Sequence, residues 1–327
     1  IILKMKVLFI YRNPSMGFSV GKVFRPIEFE MGKYAKVDSL ELPIANYCLK
    51  GLWSNISYLR KHLKKASYDV VLITGTENYL LPFISSAKKV VVVHDVKSFF
   101  NHVSGVRRKI KELMFIKVLG KADKIVSISE QTQKELSDYH FGSEVIYDPV
   151  SPAFIYKEKK IDKVCPVILH VGTKANKNLK NTILALKGLK CHLRIVGKLS
   201  EEYVKILLEN NIDYSSCANI SDEELLEEYS KCDIVNFPSL YEGFGMPIIE
   251  GQTTGRVVVT SNLSPMKDVA GGSAVLVNPN DIESIRQGYL EAINHGECYI
   301  NKGLDNVKRF SVPTITSQYF NLLKSLL

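Results

Sequence analysis

The sequence predicts an α/β protein built from two doubly wound domains, and three observations carry that expectation. Short β-branched runs alternate with helical patterns over nearly the whole 327-residue chain. The strands are almost continuously apolar, as strands are when helices cover both faces of a parallel sheet. They also fall into two series of about five, parted by "YDPVSPAFIYKEKKIDK" (147–163), a charged stretch with two prolines. A chain of this length is long for a single core and suits two.

The first series is "KVLFIY" (6–11), "DVVLIT" (69–74), "KVVVVH" (89–94), "KIVSIS" (124–129) and "EVIY" (144–147). Each is a short run rich in Val and Ile, bounded by polar or turn-forming residues. The first strand leads into "RNPSMGFSVG" (12–21), a turn-rich loop holding Gly17 and Gly21. Before the fourth strand, the segment 103–124 predicts a helix with Val106, Ile110, Leu113 and Met114 on one face. Arg107, Arg108 and Lys111 fall elsewhere on that wheel. The second series is "VILHVG" (167–172), "HLRIVG" (192–197), "DIVNF" (233–237), "VVVTS" (257–261) and "AVLVN" (274–278). The expected domains are therefore 1–152 and 153–310, followed by a closing helical segment, 311–327.

Composition narrows the function classes. With 46% hydrophobic and 24% charged residues the chain has the balance of a soluble globular protein. Its longest apolar runs are too short to span a bilayer, and no secretory signal precedes Met5. Six cysteines (Cys48, Cys165, Cys191, Cys217, Cys232, Cys298) are scattered without a C-x-x-C pair. That pattern implies reduced core thiols, a cytoplasmic protein and no zinc site. The net charge of +9 is uneven: residues 1–150 hold 23 Lys+Arg against 14 Asp+Glu, and residues 151–327 hold 20 against 20. An excess confined to one half points to an anionic partner, a nucleic acid or a membrane surface. Basic and aromatic residues are not interleaved and no nucleic-acid motif occurs, so nucleic acid is set aside.

Ligands of open α/β sheets bind beyond the carboxyl ends of the strands, and the residues there carry the candidate chemistry. In "YEGFGMPIIE" (241–250) two glutamates, Glu242 and Glu250, flank two glycines and a proline. Pro247 suits the first turn of a helix. Gly243 and Gly245 let backbone amides approach a ligand closely. A helix N-terminus beside two carboxylates can hold a diphosphate and accept from sugar hydroxyls. The bland alternative is a glycine-rich turn with solvated acids. In "TKANKN" (173–178), Lys174 and Lys177 precede a helix and can meet phosphate, or can simply be surface lysines. His94 ends "VVVVH" at the crevice, followed by Asp95; a lone histidine there can equally be structural. The basic segment 103–124 can lie on an anionic membrane or pack as an ordinary helix.

Together these segments resemble the retaining nucleotide-sugar glycosyltransferases of the GT-B fold, family 4. The specific part is 165–310, through "ILHVGTKANKNLKNTILAL" and "ISDEELLEEYSKCDIVNFPSLYEGFGMPIIEGQTTGRVVVTSNLSPMKDVAGGSAVLVNPND". The first half matches more weakly, through "MKVLFIYRNPSMGFSVGKVFRPI", "VVVVHD" and "IVSISEQTQKEL". The resemblance implies two Rossmann-like domains facing a cleft: an acceptor domain (1–152), a donor domain (153–310), and a last helix crossing back to the first. It implies that Glu242 contacts the donor sugar, Glu250 the ribose, and Lys177 the diphosphate. The amides around Gly243, Phe244, Gly245 and Met246 would lie by the diphosphate and sugar. His94 would lie against the transferred sugar and Gly17 near the phosphate, making His94, Glu242 and Lys177 the catalytic candidates.

Departures accompany the match. Thr173 stands where the family usually has an arginine, with Lys174 as the candidate replacement. Gly251 replaces the usual alanine, and Gly255-Arg256-Val257 the usual G-x-P. Lys267-Asp268 stands in place of a glutamate. No D-x-D motif occurs, so no metal or other cofactor is expected; cations and amides at the leaving phosphate would serve. The expectation is a retaining hexosyl transfer from a nucleoside-diphosphate sugar, UDP in preference to GDP. The acceptor would be a glycan of bacterial surface polysaccharide, lipid-linked and reached at an anionic membrane surface. The alternatives are a catalytically silent nucleotide- or glycan-binding protein and a nucleotide-sugar epimerase.

Overall fold

The computed structural model describes residues 5–16, 19–45, 48–100 and 103–327. Gly17 lies outside the described residues. The chain divides into two compact units, Ile1–Ser151 with Val312–Leu327, and Pro152–Ser311.

The sheet of the first unit comprises β1 (Lys6–Tyr11), β2 (Lys36–Glu41), β3 (Val70–Ile73), β4 (Lys88–Val93), β5 (Lys124–Ser127) and β6 (Glu144–Val145). Their order is β2-β1-β3-β4-β5-β6, and every pairing is parallel. Alternate residues of β1 enter opposite faces, yet Val7, Leu8, Phe9 and Ile10 are all fully buried. Burial on both faces explains the unbroken apolar run. Leu52, Ile56 and Leu59 of the helix Leu49–Lys65 join Leu8, Ile10, Val71 and Val91 in one core. The closing helix Val312–Lys324 packs along the helix Ser19–Met31, with Tyr319 edge-on to Phe24 at 5.8 Å.

The second unit repeats the plan with β7 (Val167–Val171), β8 (His192–Val196), β9 (Tyr214–Cys217), β10 (Ile234–Phe237), β11 (Val257–Ser261) and β12 (Val275–Val277). The order is β12-β11-β10-β7-β8-β9, again all parallel. In both sheets the chain runs outward from its first strand and then restarts on that strand's other side. The crevices between β1 and β3, and between β7 and β10, are therefore the topological switch points where such sheets bind ligands.

Three expectations need correction. Each sheet has six strands rather than five, because β2 ("KVDSLE") and β9 ("YSSC") escape the apolar pattern. Both are edge strands, where exposure allows polar and charged residues. Segment 103–124 is not one helix. An α-helix, Gly105–Lys111, passes into a π turn, Glu112–Ile116, and a 3-10 turn, Lys117–Lys121. Its apolar stripe does not pack on the sheet: Val106, Ile110 and Leu113 are 74%, 51% and 63% exposed, while Met114 is partly buried against the core. Finally, all six cysteines are free thiols, but only Cys191 and Cys232 are buried, and Cys48 and Cys298 are exposed. Among the described residues no helix is long and apolar enough to cross a membrane.

Candidate active site

Two loops meet at the β7–β10 switch point. The first follows β7, where Gly172 has φ +95°, and the stem of Lys177 lies across it. A Cβ there would come within 3.1 Å of Lys177 Cγ, so glycine both supplies the conformation and lets the lysine fold back. The chain then makes a 3-10 turn, Ala175–Lys177, and passes through Asn178 in the left-handed region (φ 63°) before the helix Leu179–Leu186.

Side chains and backbone lace this loop to the one after β10. Asn176 Nδ2 donates to the Tyr241 carbonyl at 3.0 Å and to Glu242 Oε1 at 3.1 Å, while Leu240 N–H donates to the Asn176 carbonyl at 2.8 Å. Asn178 Nδ2 donates to the carbonyls of Pro238 (3.0 Å) and Pro279 (2.7 Å). The result is an ion pair held in place: Lys177 Nζ lies 2.8 Å from Glu242 Oε1, the two side chains 20% and 15% exposed. Lys177 also lies over the Phe237 ring at 4.7 Å. A half-desolvated pair at a loop crossing has stronger mutual attraction than a surface pair, and its cation faces the strand end.

Beyond Glu242 the loop turns at Gly245 (φ 124°) into the helix Met246–Thr253, with Pro247 in its first turn. The amides opening that helix give its N-terminus positive character. Phe244 faces inward; it is buried and edge-on to Phe310 at 5.9 Å, so only its backbone is available to a ligand. One turn along, Glu250 Oε2 accepts a 2.6 Å hydrogen bond from the hydroxyl of Tyr229. Burial raises the Tyr229 pKa well above the ordinary tyrosine range, and the Glu250 carboxylate adds to the rise. The hydroxyl therefore keeps its proton and remains a donor. Tyr229 itself is fixed from behind by buried Arg256, which donates to the carbonyls of Tyr229 (3.0 Å), Ser230 (2.8 Å) and Lys157 (2.9 Å). Arg256 thus caps the C-terminus of the helix Asp222–Lys231 as a cation should.

The remaining donor-side candidates are placed differently. The Thr173 hydroxyl is turned to the Lys198 carbonyl at 2.8 Å. Lys174 is exposed at the start of the 3-10 turn. Gly251 packs so tightly that a Cβ would lie 2.9 Å from Val235 Cγ2 and 3.0 Å from Val258 Cγ2; alanine does not fit this packing without a shift. Among the described residues no cluster of three or more His, Cys, Asp or Glu is arranged to hold a metal.

In the first unit, His94 follows β4 and its Nε2 donates to the Thr74 carbonyl at 2.8 Å. A carbonyl can only accept, so Nε2 carries hydrogen and the other ring nitrogen, Nδ1, is turned the opposite way. Nδ1 faces Asp148 Oδ2 at 4.0 Å. Burial pushes the Asp148 carboxyl up to about 6, with His94 opposing the rise. Phe24 packs edge-on against the imidazole at 5.9 Å. The sequence did not single out Asp148, nor Asn176, Asn178 or Tyr229, and showed Arg256 only as a departure from the usual G-x-P. The only hint was two asparagines in "TKANKN", a residue type suited to tight turns and the left-handed region. Arg107 and Arg108 stand exposed on the helix Gly105–Lys111, with Lys111 partly covered at its end.

Comparison with known proteins bears on the family and the fold. Residues 153–301 match the family model for glycosyl transferases group 1, and residues 24–154 the model for glycosyltransferase family 4. The chain is 34% identical over 110 residues to O-antigen chain mannosyltransferase B of Escherichia coli, a match covering 33% of this chain but only 29% of that protein's length. It is 24% identical over 282 residues to O-antigen chain mannosyltransferase RfbU of Salmonella typhimurium, covering 79% of this chain and 77% of that one. Among solved structures, HepE of Anabaena in complex with UDP and glucose superposes with a TM-score of 0.75 at 16% identity, over 98% of this chain and all of the other.

Proposed function

This chain belongs to glycosyltransferase family 4, and on that premise we propose that it transfers a sugar, with retention, from a nucleoside-diphosphate sugar to a glycan acceptor. The Lys177–Glu242 pair at the β7–β10 switch point, beside the helix opening at Met246, is the observation that carries this reading. A departing nucleoside diphosphate gains negative charge as the glycosidic bond breaks. A lysine and helix amides already aimed at that place stabilise the charge without reorganising. Glu242 gives one oxygen to Lys177 and Asn176, which leaves the other for a sugar hydroxyl. Glu250, fixed by the Tyr229 hydroxyl, is the carboxylate proposed to meet the ribose. The leaving phosphates are met by the protein's own cations and dipoles, with no metal required.

Relatives named for O-antigen chain mannosyl transfer support a role in bacterial surface polysaccharide synthesis, and a lipid-linked acceptor is part of the same proposal. UDP is the proposed donor nucleotide in preference to GDP, supported by the UDP and glucose in complex with HepE. A silent nucleotide-binding protein is the second reading, favoured by the Thr173 hydroxyl being engaged by the Lys198 carbonyl and by Lys174 standing exposed. Incubating the full chain with labelled UDP- and GDP-hexoses and a bacterial lipid extract separates the two. Label passing into the lipid phase supports transfer; tight donor binding without product supports the silent reading.

The ribose assignment has its own test. Glu250→Ala removes a charge-assisted acceptor worth about 1.5–3 kcal/mol, so calorimetry should show nucleoside diphosphate affinity falling roughly ten- to 150-fold. Unchanged affinity would place the ribose elsewhere.

A further inference from the structure

Buried acids elsewhere in the chain lie against lysines: Glu30 against Lys33 at 2.7 Å, Glu135 against Lys97 at 3.3 Å and Asp233 against Lys159 at 2.9 Å. Asp148 is buried to the same degree, at 5% exposure, and is set against a histidine instead. The 4.0 Å between its Oδ2 and His94 Nδ1 is an electrostatic contact, too long for a hydrogen bond. An ionised carboxylate so placed costs stability. Such a group, in a ligand-binding position, is a functional candidate.

The position is of that kind. Asp148 comes after β6, His94 after β4 and Thr74 after β3, so all three stand at the carboxyl ends of the strands, where open α/β sheets take ligands. The Thr74 carbonyl accepts from Nε2 at 2.8 Å and fixes the far side of the ring. Phe24 is edge-on both to the imidazole, at 5.9 Å, and to Tyr319, at 5.8 Å, and both side chains are buried. His94 and Tyr319 are the titratable groups facing Asp148. Burial and the Asp148 charge raise the Tyr319 pKa well above the ordinary tyrosine range, so its hydroxyl stays protonated. Of the two, His94 alone can carry positive charge.

We propose that Asp148 is a positioning residue for sugar transfer: it holds the His94 ring from its Nδ1 side and, ionised, places negative charge behind the imidazole. A sugar leaving a nucleoside diphosphate gains positive charge on its ring, and a fixed carboxylate behind the group that meets it stabilises that charge. The role rests on the reading of His94 as the residue that lies against the transferred sugar. Burial pushes the Asp148 carboxyl up to about 6, with His94 opposing the rise. The charge is therefore present above that pH and lost below it.

Asp148→Asn keeps the shape and removes the charge. With labelled UDP-hexose and a bacterial lipid extract at neutral pH, kcat should fall about tenfold or more, while KM for the donor stays within about threefold. The wild-type rate should drop as pH falls through about 6; the variant's rate should lack that step. Melting temperature gives the readout that a merely structural role would reverse. A carboxyl whose pKa is raised by folding stabilises the fold below its unfolded pKa, and that contribution is lost as pH rises through the folded value. Asparagine escapes the loss, so the variant should melt above the wild type at neutral pH. A variant with the wild-type rate and pH profile overturns the role, and so does one that loses activity and also melts lower. A wild type with no turnover overturns the transferase reading and this role with it, which tells the two failures apart.

Discussion

Lys177→Ala is expected to lower the rate of sugar transfer by roughly ten- to a thousand-fold, the range found when one preorganised charge partner of a developing oxyanion is removed. The expectation rests on position. Lys177 is held by Gly172 beneath its stem, by Phe237 beside it and by Glu242 at 2.8 Å, so its charge is fixed before the donor arrives. Initial rates with saturating labelled donor measure the effect, and an unchanged melting temperature certifies that the fold survives. Lys174→Ala is the companion. An exposed lysine away from such contacts should leave the rate within about twofold. An equal loss in both variants would mean that the diphosphate extends along the loop and that Lys174 does the work of the usual arginine.

Arg256→Met should destabilise the second unit by about 3 kcal/mol. The substitution keeps much of the volume but strands the carbonyls of Tyr229, Ser230 and Lys157 in a buried place, and each lost charge-assisted bond is worth about 1.5–3 kcal/mol before relaxation. Urea unfolding followed by circular dichroism measures it, with each unit's transition fitted separately. The same variant should weaken donor binding, because Arg256 holds the helix that presents Tyr229 to Glu250. A loss under about 1 kcal/mol with normal donor affinity would show that Arg256 is not the anchor of that chain of contacts.

These two residues show how unevenly the molecule can be read from its sequence. The placement of Lys177 and Glu242 beyond strand ends was legible because each lies in a local pattern, strand-loop-helix, that fixes where its backbone goes. Their direct contact was not, because it depends on Asn176 and Asn178 tying two loops some 65 residues apart. Arg256 looked like a departure from the family's usual G-x-P; its use appears only when the helix Asp222–Lys231 is packed behind it. Gly251 likewise looked like a departure, and the valines of β10 and β11 account for it. The buried strands announced themselves by unbroken Val and Ile. The edge strands β2 and β9 did not, since an edge tolerates "KVDSLE" and "YSSC". Helical periodicity in 103–124 likewise marked the apolar residues without choosing between their two candidate partners. The pattern marks a face, and cannot tell a face that meets the core from one left open.

The central claim is that the β7–β10 crevice of the second unit holds a nucleoside diphosphate. Isothermal titration of UDP and of GDP into the full chain tests it most directly, repeated with Glu250→Ala. One site per chain is expected, with UDP the tighter ligand and an affinity that falls at least tenfold in the variant. Failure of both nucleotides to bind at millimolar concentration, or binding that Glu250→Ala leaves untouched, would contradict it.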